Sequence, residues 1–78
     1  MSNLEIYQEV FINFLNVEKD ILKDLKYQDV PAWDSVGHMS LMTEIEEAFD
    51  IMIDMDDIID FSSFEKGKEL LMKYNVKI

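Results

Sequence analysis

The sequence predicts an all-α protein, a small four-helix bundle with three longer helices and one short one. Three observations lead there. Apolar residues recur three or four apart in three separate stretches, which is the period of an amphipathic helix. The one stretch that alternates, Asp50-Ile51-Met52-Ile53-Asp54-Met55, is too brief for a strand to find a partner. At 78 residues without a cysteine, the chain forms one domain, 1–78, held by packing alone, and a domain this small hides only about 60% of its unfolded surface.

Ser2 or Asn3 is placed to cap a first helix in which Leu4, Tyr7, Phe11 and Phe14 share a face, with Ile6 and Val10 beside them. This helix is expected to end near Asn16, because asparagine tolerates the left-handed backbone that closes many helices. From Val17 to Asp34 no period is sustained, and Ile21, Leu22, Leu25 and Val30 stand among charges. The expectation there is a long ordered loop with room for one helical turn at 18–25. Pro31 disfavours helix at Val30, so the chain should be extended before it turns into the second helix. Trp33 has two readings: a loop anchor whose indole covers the core, or a contact for a bound cofactor.

The second helix follows, with Asp34 or Ser35 as its cap and Leu41, Met42, Ile45 and Phe49 on its apolar face. Gly37, Ser40, Glu44 and Glu47 fall on the polar side. Asp56 is expected to cap a one-turn third helix through Ile58, Ile59 and Phe61. Ser62 and Glu65 have the spacing of a capping box and open a last helix that runs to about Tyr74, with Phe64, Leu70, Leu71 and Tyr74 inward. Gly67 costs that helix ~1 kcal/mol relative to alanine, which implies a packing reason or plain tolerance.

Charge is segregated. Residues 29–60 hold ten acids and no lysine or arginine, and this middle segment accounts for the whole net charge of −10. A field of one sign repels nucleic acid and anionic lipid and attracts basic protein surfaces, although a solvated helix face would show the same composition. No apolar run approaches the ~20 residues needed to cross a bilayer, and the start carries Glu5 and Glu9 and lacks a basic segment, so neither membrane insertion nor a signal peptide is expected. The absence of cysteine permits an intracellular location, and the cytoplasm is the expected compartment.

Chemistry centres on Ser35. A hydrolase nucleophile needs an activating base, and a Gly-x-Ser-x-Gly elbow needs glycine where this chain has Trp33. His38, the only histidine, is one turn beyond Ser35, but a chain this small leaves little room for a substrate pocket, and it reads as a surface residue. No second histidine joins it as a metal ligand. Asp54, Asp56 and Glu65 match positions 1, 3 and 12 of a calcium loop, yet Ile58 and Ile59 stand where a ligand and the turn glycine are required, so no metal site is expected.

The step Asp34-Ser35-Val36 at a helix entrance resembles the phosphopantetheine attachment site of acyl carrier proteins. The likeness continues through Glu46-Glu47-Ala48-Phe49-Asp50-Ile51, similar to the acidic helix end and Phe-Asp-Ile turn of that family, and Leu15-Asn16-Val17 stands where it has Leu-Gly-Val. It covers most of residues 4–74. Trp33 departs from the usual Gly or Ala and is similar to the small free-standing carriers of other pathways.

This resemblance implies an acyl-carrier-like bundle that is not an enzyme, with a 4'-phosphopantetheine arm, derived from coenzyme A, on Ser35. The arm would supply the thiol that the chain lacks and hold acyl intermediates of fatty acid or secondary metabolite biosynthesis as thioesters. Free amides and the positive end of the helix dipole suit its phosphodiester. Asp34 would help position the site for the transferase, Val36 and Met39 would form an apolar docking patch, and Glu44, Glu46 and Glu47 would be recognition acids. The implied partners are a phosphopantetheinyl transferase, an acyl-loading ligase or acyltransferase, and downstream enzymes with basic docking surfaces, each meeting a monomer. Ser40 and Gly37 replace frequent acids of the family, which points away from the partners of a standard fatty-acid synthase. An aminoacyl or peptidyl carrier, and an interaction module without the prosthetic group, are the alternatives.

Overall fold

In the computed structural model, which describes residues 1–78, four α-helices and one 3₁₀ helix follow one another, and no strand forms. Helix α1 spans Asn3–Leu15. Its start is a complete capping box: the Ser2 hydroxyl accepts the Glu5 N–H at 3.1 Å, and the Glu5 carboxylate accepts the Ser2 N–H at 3.0 Å. Its end is Asn16 in the left-handed conformation, φ 57°. Both ends stand where local chemistry predicted them.

The loop turn expected at 18–25 is a 3₁₀ helix, Lys19–Asp24, so the bundle has five helical elements instead of four. Leu22 and Leu25 are buried by it while Ile21 faces water. Helix α2 spans Ser35–Phe49 with Leu41, Met42 and Ile45 buried, and Asp50 closes it in the left-handed conformation, φ 54°. No helix is long and apolar enough to cross a membrane.

Two expected helix starts are corrected. Helix α3 spans Met55–Asp60 and opens at Asp54, not Asp56, because the Asp54 carbonyl accepts the N–H groups of Asp57 and Ile58. Helix α4 spans Phe64–Met72 and is capped by Ser63, not Ser62; the Ser63 hydroxyl accepts the Lys66 N–H at 3.0 Å. The reason lies far away in sequence. Tyr27 donates its N–H to the Ser62 carbonyl and Phe64 donates to the Leu25 carbonyl, so residues 62–64 stay extended against 25–27 and the helix cannot begin earlier.

Helix α1 packs on α2, and the 3₁₀ helix touches both α1 and α4. Phe11 sits at the centre of an aromatic cluster, with Tyr7, Phe64 and Trp33 meeting its ring edge-on at 4.9, 5.1 and 5.5 Å between centroids. Such geometries add to the burial of large rings. Gly67 has a packing reason: a side chain there would strike the Tyr7 hydroxyl and the Phe61 ring.

Candidate functional site

The segment before Ser35 is built as a turn and then pinned from below. The Trp33 N–H donates to the Val30 carbonyl at 3.0 Å, the Gln28 N–H donates to the Trp33 carbonyl at 2.9 Å, and Gln28 takes φ 74°. The Trp33 indole is fully buried, edge-on to Phe11, so the loop-anchor reading is the one the structure bears out. Its position fixes where the next residue enters the helix.

Asp34 is that entrance. Its carboxylate accepts the Gly37 N–H at 2.7 Å and its carbonyl accepts the His38 N–H at 2.7 Å, closing the first turn of α2. Ser35 is the first helical residue and is exposed, with its hydroxyl engaged by nothing in the chain. The amides of Ser35 and Val36, ahead of the first helical hydrogen bond, have no acceptor either. Gly37 is required by the turn: a Cβ would run into the Ala32 carbonyl oxygen, which folds over the start of α2. Its departure from an acidic pattern is thus a consequence of close backbone approach.

His38 is not the surface residue expected. Half-buried, it lies nearly parallel to the Trp33 indole, 6.2 Å between centroids, and meets Tyr27 and Phe61 edge-on. The Trp33 indole N–H donates to its Nδ1 at 2.9 Å, and its Nε2 lies 2.7 Å from the Ile58 carbonyl. An indole N–H only donates, so Nδ1 accepts and Nε2 carries the proton. Both ring nitrogens are occupied, and neither is free to activate Ser35.

Val36, next to the serine in sequence, is 75% exposed and Met39 46% exposed, and α3 carries Met55 and Ile59 at 60% and 72%. Met39, Met55 and Ile59 line a cleft of about 260 Å³ floored by Tyr27, Ile58 and Phe61. Scattered apolar residues on a surface need no explanation, but these three meet in one cleft. Val36 and Met39 come from the resemblance, which says nothing of Met55 or Ile59, and a six-residue helix carries no period that would single those two out.

The three glutamates separate. Glu44 and Glu47 are exposed. Glu46 is half-buried, and its carboxylate accepts the Ile53 N–H at 2.8 Å while its carbonyl accepts the Ile51 N–H, so it shapes the turn out of α2. Of the ten acids between residues 29 and 60, only Asp57 has a lysine at ion-pair distance, Lys73 at 2.7 Å. No three acids or histidines converge as a metal cluster would. Comparison of the chain with known protein families, with characterised proteins and with solved structures found no match.

Proposed function

We propose that this chain is an acyl-carrier-like protein that holds acyl intermediates on a 4'-phosphopantetheine arm attached through a phosphodiester to the Ser35 hydroxyl. The observation that carries the reading is the pairing of an exposed, unengaged Ser35 hydroxyl with the Asp34-capped start of α2. The residues present fit such a group. The amides of Ser35 and Val36 have no acceptor in the chain, and the positive end of the helix dipole favours an anion at the start of α2. The Asp34 carboxylate is bound to Gly37, so it organises the turn while its charge is partly answered by an amide.

When bound, the arm supplies the thiol that this cysteine-free chain lacks, and a thioester on that thiol activates the acyl group. The chain itself presents the arm. Trp33 and Gly37 fix the entrance to α2, Val36 and Met39 offer an apolar contact to an enzyme, and Glu44 and Glu47 steer basic docking surfaces toward the serine. The catalytic chemistry belongs to the transferase that adds the arm and to the ligase, acyltransferase and downstream enzymes that load and consume the cargo. Tethering raises the effective concentration of cargo at each of them.

Intact-protein mass spectrometry of chain purified from its native host tests this. The expected result is a mass increase of one phosphopantetheinyl group, with or without an acyl load whose mass separates acyl from aminoacyl cargo. A population carrying no such group would favour an interaction module of the same fold.

A further inference from the structure

We infer that the Trp33–His38 hydrogen bond is a proton-sensitive lock on the turn that leads to Ser35: uptake of a proton by His38 opens this bond and loosens the turn, while the bond from His38 to α3 remains. The lock rests on geometry alone. Its consequence for Ser35 rests on the carrier reading.

The two bonds of the ring respond to a proton in opposite directions. The Trp33 indole N–H donates to Nδ1, so Nδ1 is bare and the single ring proton sits on Nε2, against the Ile58 carbonyl. An imidazole that takes up a second proton carries N–H on both nitrogens. Two donors then face each other across the Trp33 contact, and no flip of the ring restores an acceptor. The Ile58 contact keeps its donor, now on a charged ring, and a charge-assisted bond is the stronger kind.

What the first bond holds is the turn. Trp33 has no exposed surface, so its indole N–H cannot reach water unless the residue moves, and a buried donor without a partner is unfavourable. The same residue closes the turn through its backbone, donating to the Val30 carbonyl and accepting from the Gln28 N–H. Gln28 takes φ 74°, a left-handed conformation that a residue with a side chain rarely adopts and that persists only where its surroundings hold it. Asp34 and Ser35 follow Trp33 directly, so release of the indole frees the entrance to α2.

The imidazole is the group that titrates here. Tyr27 and Trp33 of the loop and Phe61 beyond α3 surround the ring, and Met39 of α2 and Ile58 of α3 line the cleft onto which it opens. Tyr27 alone among the cleft's other residues titrates, and phenols do so far above the free imidazole value of about 6.5. No carboxylate or ammonium group lines the cleft. On the adjoining elements the Asp34 carboxylate is engaged by the Gly37 N–H, and that of Asp57 by Lys73 and Tyr74. Asp54, Asp56 and Asp60, the other acids at α3, stand outside the cleft.

Nitrogen-15 NMR and hydrogen exchange of the unaltered chain between about pH 8 and about pH 5, a range that spans the free imidazole value and stays above that of carboxylates, test the lock. At the upper end Nδ1 is expected bare and Nε2 protonated; at the lower end both carry protons. In the same step the Trp33 indole N–H and the amides of Gln28 and Trp33 should lose about tenfold in protection, while those of Asp57 and Ile58 in α3 change little. The emission of Trp33, the only tryptophan, should shift with them. A bare Nε2 at the upper end, a ring still singly protonated at the lower end, unchanged protection at Trp33 or an equal loss in every helix would overturn the lock.

The consequence for Ser35 is read with coenzyme A and a broad-specificity phosphopantetheinyl transferase. His38→Gln keeps a donor and an acceptor and does not titrate in this range. The KM of the unaltered chain divided by that of His38→Gln should rise several-fold from the upper to the lower pH, because the pH dependence of the transferase itself cancels in the ratio. Should His38→Gln fail to fold, Trp33→Phe, which keeps a ring and removes the indole donor, takes its place. A ratio that does not move would overturn the consequence. A chain that takes no phosphopantetheine at either pH would refute the carrier reading and the consequence with it, while the NMR result decides the lock independently.

Discussion

The Tyr7 hydroxyl lies against the α-carbon of Gly67, in the space a side chain there would fill, and donates to the Phe64 carbonyl at 2.7 Å. Burial pushes the Tyr7 phenol up, so it stays a neutral donor. Gly67→Ala would gain ~1 kcal/mol of helix propensity, but the new methyl must displace Tyr7 or Phe61, both without exposed surface, and overpacking of that kind costs ~1–3 kcal/mol. The expected outcome is a net loss of about 1 kcal/mol, read as a fall in Tm of ~4–8 °C. A rise in Tm would show that the contact relaxes freely.

Asp57 gives stability a pH dependence of known sign. Its bond to Lys73, then its bond to Tyr74, hold its carboxyl below the usual carboxylate value. A depressed folded-state value means that the contribution is present above the unfolded value, about 4, and is lost as pH falls through the folded one. Lys73 is held above its ordinary value first by its bond to Asp57, so the contribution is complete below about pH 10.4 and disappears as pH rises through the folded value. Thermal melts across pH should show Asp57→Asn lowering Tm near neutrality and flattening the acid limb. Parallel curves for the two proteins would contradict this.

The acidic middle segment is largely unanswered by lysine. Lys68 pairs with Glu65 in its own helix at 3.0 Å, and Lys73 pairs with Asp57; the other nine acids of residues 29–60 have no cation in ion-pair reach. Their repulsion disfavours the compact state. Added salt, or millimolar magnesium or calcium, should therefore raise Tm, with similar effects from the two ions. A strong preference for calcium would indicate a built site.

Glu46 and Glu44 should behave differently when truncated. Glu46→Ala leaves the Ile53 N–H without its acceptor in a half-buried turn and should cost about 1 kcal/mol in denaturant unfolding, whereas Glu44→Ala should stay within about 0.5 kcal/mol. Under the proposed carrier function, the order should reverse on loading by partner enzymes. Replacing Glu44 and Glu47 by lysine should slow association most at low salt, because rim charges act mainly on encounter.

What the sequence made legible follows the range of the forces involved. The ends of α1 could be read because Ser2, Glu5 and Asn16 act within one turn of their own backbone. The Asp34 cap, the apolar face of α2 and the exposed Ser35 followed from the same local rules. Local spacing points to Ser62 as the cap of α4 and not to Ser63, because the deciding partners, Leu25 and Tyr27, lie almost forty residues away. Sequence alone puts His38 on the surface for the same reason: its role depends on the Trp33 indole N–H and a carbonyl twenty residues on. Gly67 was noticed as a cost, but only the Tyr7 hydroxyl explains it.

The central claim, that the Ser35 hydroxyl carries the arm, is tested most directly by intact-protein mass spectrometry after incubation with coenzyme A and a broad-specificity phosphopantetheinyl transferase. The unaltered chain is predicted to gain one phosphopantetheinyl group. Ser35→Ala is predicted to gain none while keeping its helical circular dichroism, because the Ser35 side chain makes no bond that the fold uses. An unaltered chain that stays unmodified, or a Ser35→Ala variant that is still modified, would contradict the account.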